Sequence, residues 1–165
     1  MGKLWWLPII AVLLSVFGFS PFTPTDVAQL APVQTIVISA PGGLVRVDCG
    51  EKLTGQGQDL MEALEDLKAG AEGEVFLATA QQIVVVGGVD IWSQLVQAEG
   101  LRPAARLYQS SEPVRAADIT GFLLRDKNTA TLLELRIARL YGRPLNVPLV
   151  ARRQGGYRIV SGKPI

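Results

Sequence analysis

Glycine-rich turns ahead of helices bind phosphate through bare backbone amides, and Gly55-Gln56-Gly57 stands just before a helix start. The motif is incomplete. A third glycine and a following Lys-Ser/Thr pair are missing, and Asp59 puts a carboxylate where the anion would sit. Gly87-Gly88, after a run of valines, likewise reads as a strand end. Paired carboxylates are the next chemistry to test, with Glu62, Glu65 and Asp66 close together and Glu72 and Glu74 beyond. A general acid and base need burial and opposed pKa values, whereas these fall on the outer side of a helix and read as a solvated face. The chain has no histidine and a single cysteine, Cys49, which removes Ser-His-Asp, Cys-His and the usual zinc sets, and any internal disulfide. Val45, Val47 and Cys49 share one face of a strand, with Leu44, Arg46 and Asp48 on the other, so Cys49 is expected to be a small buried apolar residue. No catalytic, cofactor-binding or metal-ligating set is predicted, so the chain reads as a non-enzyme without a cofactor and without a nucleic-acid partner.

The elements that would carry these residues centre on residues 54–88. Asp59 is placed as a helix N-cap with Glu62 three residues on, the capping-box spacing. Leu60, Leu64 and Leu67 give an apolar stripe, and Gly70 stops the helix. Ile83-Val84-Val85-Val86 has no polar alternation, which predicts a strand covered on both faces. Upstream, Gln34 to Ser39 reads as a strand, Pro41-Gly42-Gly43 as a turn, and Leu44 to Cys49 as its return. Downstream, Asp90 caps a helix that Gly100 ends, with Ile91, Trp92, Leu95 and Val96 packing inward. Pro103 opens a short helical piece through Tyr108, broken by Ser110-Ser111-Glu112-Pro113. Asp118 caps a segment carrying Ile119, Phe122 and Leu123. Leu133, Ile137, Leu140 and Tyr141 predict a packed stripe, ended by Gly142 and Pro144, with Glu134, Arg136, Arg139 and Arg143 outside. Val147 to Ala151, a Gln154-Gly155-Gly156 turn and Tyr157 to Ser161 close the chain. The fold class is α/β (α+β), one mixed sheet of about four to six strands with packed helices.

Residues 1–22 are expected to be an N-terminal membrane anchor or signal segment, 23–32 a linker, and 33–165 the domain. Leu4 to Phe22 is a run of 19 residues without a charge. As a helix it would span roughly 28 Å, close to the hydrocarbon core of a bilayer. Trp5 and Trp6 fit the interface, and Lys3 fits the cytoplasmic side, which puts the domain outside. A cleaved signal peptide is the alternative, although Pro21 is a poor residue after a cleavage site.

The net charge of +1 hides a division. Residues 22–100 hold 3 Lys/Arg against 11 Asp/Glu, and residues 101–165 hold 12 against 4. Arg136, Arg139 and Arg143 stand three and four residues apart on one helix face, with Arg152 and Arg153 able to extend it. Anionic lipid headgroups, an acidic partner loop, the protein's own acidic half and an ordinary solvated face are the readings of that patch.

The order of these segments resembles the N-terminal domain of the Ger(x)C family, the C subunits of GerA-type spore germinant receptors. Asp59-Leu60-Met61-Glu62-Ala63-Leu64-Glu65-Asp66-Leu67 is similar to its capped first helix. Val75-Phe76-Leu77-Ala78 and Ile83-Val84-Val85-Val86-Gly87 are similar to its central strand region. Leu30 to Ile38 is similar to its first strand, and Val147-Pro148-Leu149-Val150 through Gly155-Gly156-Tyr157-Arg158-Ile159 to its closing segment. The lipidated cysteine of the family has no counterpart here, so a spanning helix would take over its role. The family also has a strand near an R-d-p-E-i-R-like segment, to which Ser111-Glu112-Pro113-Val114-Arg115 is only slightly similar, and the strand that should follow is not visible in the sequence. The resemblance implies a membrane-anchored binding or assembly component of spore germination, on the extracytoplasmic side of the spore inner membrane, with membrane-embedded receptor subunits as partners. An unrelated membrane-anchored scaffold, or a secreted small-ligand-binding domain, would share most of these features.

Overall fold

Two β-branched runs, Thr35-Ile36-Val37-Ile38-Ser39 and Gln82-Ile83-Val84-Val85-Val86, lie side by side as parallel strands and form the centre of the molecule. The computed structural model describes residues 30–165 except 51, 88, 89, 127, 128 and 163, so the expected anchor and most of the linker lie outside the described residues. In chain order the elements are β1 (Leu30–Pro32), β2 (Thr35–Ser39), β3 (Val45–Asp48), β4 (Thr54–Gly57), α1 (Leu60–Ala69), β5 (Glu74–Phe76), β6 (Gln82–Val86), α2 (Asp90–Gln97), β7 (Arg106–Ser110), α3 (Ala116–Leu123), α4 (Leu132–Leu140), β8 (Leu149–Arg153) and β9 (Gly156–Val160). Seven strands make one mixed sheet in the order β4-β3-β2-β6-β7-β8-β9, while β1 pairs with β5 separately. The domain is α+β. Among the described residues, no helix is long and apolar enough to cross a membrane.

Strand parity divides the core. Ile36, Ile38, Ile83, Val85 and Leu107 point to one face, where Leu60, Leu64 and Leu67 of α1, Ile91, Trp92 and Leu95 of α2 and Leu132 and Leu135 of α4 cover them. Val37, Val84, Tyr108 and Val150 point to the other, where Ala116, Ile119 and Leu123 of α3 cover them. The unbroken run in β6 is therefore buried on both sides, as its lack of alternation predicts. On the second face, the loop after α3 is tied down where the Tyr108 hydroxyl donates to an Asp126 carboxylate oxygen at 3.2 Å. Burial and that carboxylate raise the Tyr108 phenol above its ordinary pKa.

Gly55 and Gly57 have a structural use. They belong to strand β4, not to a loop, and α1 lies directly on them. A methyl group at Gly55 would sit 2.5 Å from the Leu67 amide nitrogen and overlap the Ala63 carbonyl oxygen. One at Gly57 would sit 2.5 Å from the Ala63 amide nitrogen. The helix approaches so closely that its own carboxylates finish the strand. The Gln56 amide donates to Asp66 at 2.9 Å and the Gln58 amide to Glu62 at 2.9 Å. Two of the carboxylates read as a solvated face are thus acceptors for backbone donors.

Asp59 caps α1, accepting from the Glu62 amide at 2.9 Å. Glu62 completes only half of the expected box, because its carboxylate takes the Gln58 amide one residue earlier. A full capping box stands instead at α4, where Thr131 and Glu134 satisfy each other's amides. Replacing Asp59 by Ala is expected to cost about 1 kcal/mol, as is Thr131→Ala. Urea denaturation midpoints of the two variants check this, and unchanged midpoints would remove both caps from the account of stability.

The structure departs from the sequence pattern at four further places. Residues 103–108 do not form a helical piece: a turn leads into β7, because the slot between β6 and β8 takes an extended chain with Leu107 on one face and Tyr108 on the other. This strand precedes Ser111-Glu112-Pro113-Val114-Arg115, which is itself irregular. Asp118 is not the cap of α3; Arg115 holds the N-cap position, and Asp118 sits in the first turn paired to its guanidinium at 3.0 Å. The stripe on α4 is turned outward. Leu132, Leu135 and Ala138 are buried, while Leu133, Ile137, Leu140 and Tyr141 are 50%, 46%, 78% and 65% exposed. Finally, the last three residues of the expected linker form β1, against β5.

Candidate functional site

The three arginines expected to share one face of α4 do not act together. Arg136 turns inward, and its guanidinium donates to the Val96 carbonyl at 3.1 Å and to the Ala98 carbonyl at 2.6 Å. It thereby serves the free carbonyls at the C-terminal end of α2, where a cation also suits the helix dipole. Arg139 is exposed, and Arg143 stacks its guanidinium carbon 5.5 Å from the centre of the Tyr141 ring. The surface of α4 is thus an aliphatic stripe ending in a tyrosine and two outward arginines.

Inversion of this helix has a cause in its composition. Leu132-Leu133-Glu134-Leu135-Arg136-Ile137-Ala138-Arg139-Leu140 has apolar residues on two sides, so spacing alone allows two choices of inner face. The side chosen carries Ala138, small enough for close packing, and brings Arg136 beside α2. The alternative would bury Leu140 and leave Leu132 in water.

A second candidate lies at the C-terminal ends of β2 and β6. From β2 the chain turns through Pro41–Gly43 to β3 on one side; from β6 it leaves through Gly87, at φ 78, towards α2 and β7 on the other. Adjacent parallel strands whose connections diverge leave a crevice, the usual position of ligand sites in such sheets. Here it is a cleft of about 640 Å³ whose apolar floor includes Val37, Val86 and Val114. Ser39, Arg46, Asp48, Thr54 and Arg115 add the polar groups.

Asp48 organises one wall. Its two carboxylate oxygens accept from the Gly50 amide at 2.8 Å and the Ala116 amide at 3.1 Å, joining the turn after β3 to the first turn of α3. Arg115 is held by a two-point pair with Asp118, at 3.0 and 3.2 Å, and that carboxylate keeps the guanidinium pKa up. Cys49, next to Asp48, is half-buried against the core, and burial, followed by the Asp48 charge, pushes its thiol up to about 12. It is therefore a thiol, not a thiolate, at neutral pH.

The opposed charges of the sequence are segregated in space. Residues before 101 supply β4, β3, β2 and β6 with the acidic helix α1 packed on β4, and residues after it supply β7, β8 and β9, whose charged side chains are all arginines. Among the described residues, no group of three or more His, Cys, Asp or Glu could hold a metal ion. No family model matches the chain, and neither a curated protein nor a solved structure matches it at a significant level.

Proposed function

We propose that this protein is a non-enzymatic, membrane-anchored binding component of a germinant-receptor-like complex of spore germination, with its domain on the extracytoplasmic side. The resemblance to the Ger(x)C first domain and the uncharged run from Leu4 to Phe22 supply the process and the address. The observation that carries the binding role is the α4 surface, where four large apolar side chains stand in water along one helix face. Exposed apolar residues are ordinary when scattered; a helical row of four ending beside Arg139 and Arg143 is a docking face. Its partner is a membrane-embedded receptor subunit presenting an apolar patch with carboxylates at its rim, complementary to those two arginines and to the basic side of the sheet.

The test is made with the full chain, co-expressed with the receptor membrane subunits of a spore former. Native gels of detergent-solubilised membranes should show the chain in a complex with those subunits. The double variant Leu133→Asp/Leu140→Asp should leave the complex while keeping its own melting transition, since both side chains are already exposed. A complex that survives the double variant overturns the docking face. Loss of binding to anionic vesicles with an intact subunit complex would also overturn it, in favour of lipid.

A further inference from the structure

The cleft between β2 and β6 has a charge arrangement of its own. Asp48 is satisfied by two backbone amides, and Arg115 and Asp118 neutralise each other. Arg46 is left over. It projects from β3 on the same sheet face as Asp48, lines the cleft, and has no hydrogen-bond or ion-pair partner among the described residues. The hydroxyls of Ser39 and Thr54 also line the cleft without a partner among the described residues. The rest of the lining is largely apolar, from three valines, two prolines and an alanine.

We propose that this cleft binds a small organic monocarboxylate, an apolar body seated on Val37, Val86 and Val114 with its carboxylate on Arg46. A guanidinium presents two parallel N–H donors that match a carboxylate, and the Ser39 and Thr54 hydroxyls supply further donors. Charge number selects the class. With Arg115 already paired, Arg46 is the single cation of the lining left for a ligand, and the Asp48 carboxylate on the same sheet face opposes any second negative charge, which suits a monoanion over a dianionic phosphate. Apolar lining of this extent has no use for an inorganic ion, whereas a short alkyl chain fills it. The site stands on the opposite sheet face from α4, so it is independent of the docking proposal.

Hexanoate is the probe, titrated by calorimetry into the full-length protein in zwitterionic nanodiscs, with hexan-1-ol and inorganic phosphate as comparisons. Saturable hexanoate binding is expected, at least tenfold tighter than either comparison. Amide resonances of Gly87 and Val114 should shift together during the titration. Arg46→Gln should weaken hexanoate at least tenfold, and Arg46→Lys should recover part of the loss. Because Arg46 has no partner among the described residues, both variants should melt like the parent, and Leu133→Asp/Leu140→Asp should bind hexanoate normally. Absence of saturation, equal binding of hexan-1-ol, or full affinity in Arg46→Gln would each overturn the assignment.

Discussion

A chain carrying Val85→Asp is expected to lose its cooperative unfolding transition. Val85 is 2% exposed, in a strand with parallel neighbours on both sides, opposite Ile38 in β2 and Gln109 in β7. Its side chain lies in the cluster shared with α1 and α2, where the surrounding residues are apolar. A carboxylate there must stay charged without a partner or be protonated at the expense of its pKa, and either costs several kcal/mol. That is comparable with the whole stability of a domain of this size, about 5–15 kcal/mol. Val85→Ile, which keeps the chemistry and adds one methylene, separates charge from shape and should retain a cooperative melt. Circular dichroism against temperature decides. A Val85→Asp protein that melts within a few degrees of the parent would mean that β6 is not enclosed on this face.

Gly55→Ala is expected to be nearly as damaging, although it adds a single methyl group at a strand edge. The methyl would be driven into the backbone of α1, 2.5 Å from the Leu67 nitrogen, and a backbone cannot rotate aside as a side chain can. Overpacking of a rigid contact costs about 3 kcal/mol or more, here by lifting the helix off the strand. The lift would also separate Asp66 and Glu62 from the Gln56 and Gln58 amides. Urea unfolding should show a large fall in midpoint, and hydrogen exchange should report early loss of protection at those two amides. Gly121→Ala is the control, because nothing lies within 4 Å of a methyl there and the substitution favours the helix. Equal midpoints for Gly55→Ala and the parent would show that strand and helix are not in this contact.

Parts of this fold were legible because one pattern had one meaning. Asp59, the leucines of α1 and Gly70 agreed on a helix, and four consecutive β-branched residues agreed on an enclosed strand. Where two meanings competed, the local signal failed. Thr54-Gly55-Gln56-Gly57 has low strand propensity and forms a strand only because α1 requires residues without side chains beneath it. Arg106-Leu107-Tyr108-Gln109-Ser110 follows Pro103-Ala104-Ala105, which reads as a helix start, so the demand for an extended chain comes from β6 and β8. In α4 the choice between two apolar sides was settled by Arg136 reaching α2. The cleft was illegible for another reason. Arg46, Ser39, Val86 and Val114 come from separate segments, and only the sheet order and strand parity bring them together.

The carboxylates that finish β4 have a consequence for how copies of this molecule can meet. A sheet recruits another strand through amides and carbonyls left open at its margin, and indefinite stacking needs two such margins. The outward amide of Gln56 in β4 and that of Gln58 just past its end are already occupied by α1, which also lies across the strand. The open margin of the seven-stranded sheet is β9. Joining two copies through β9 uses up that margin on both, so this route ends at a closed pair and cannot propagate into a fibre.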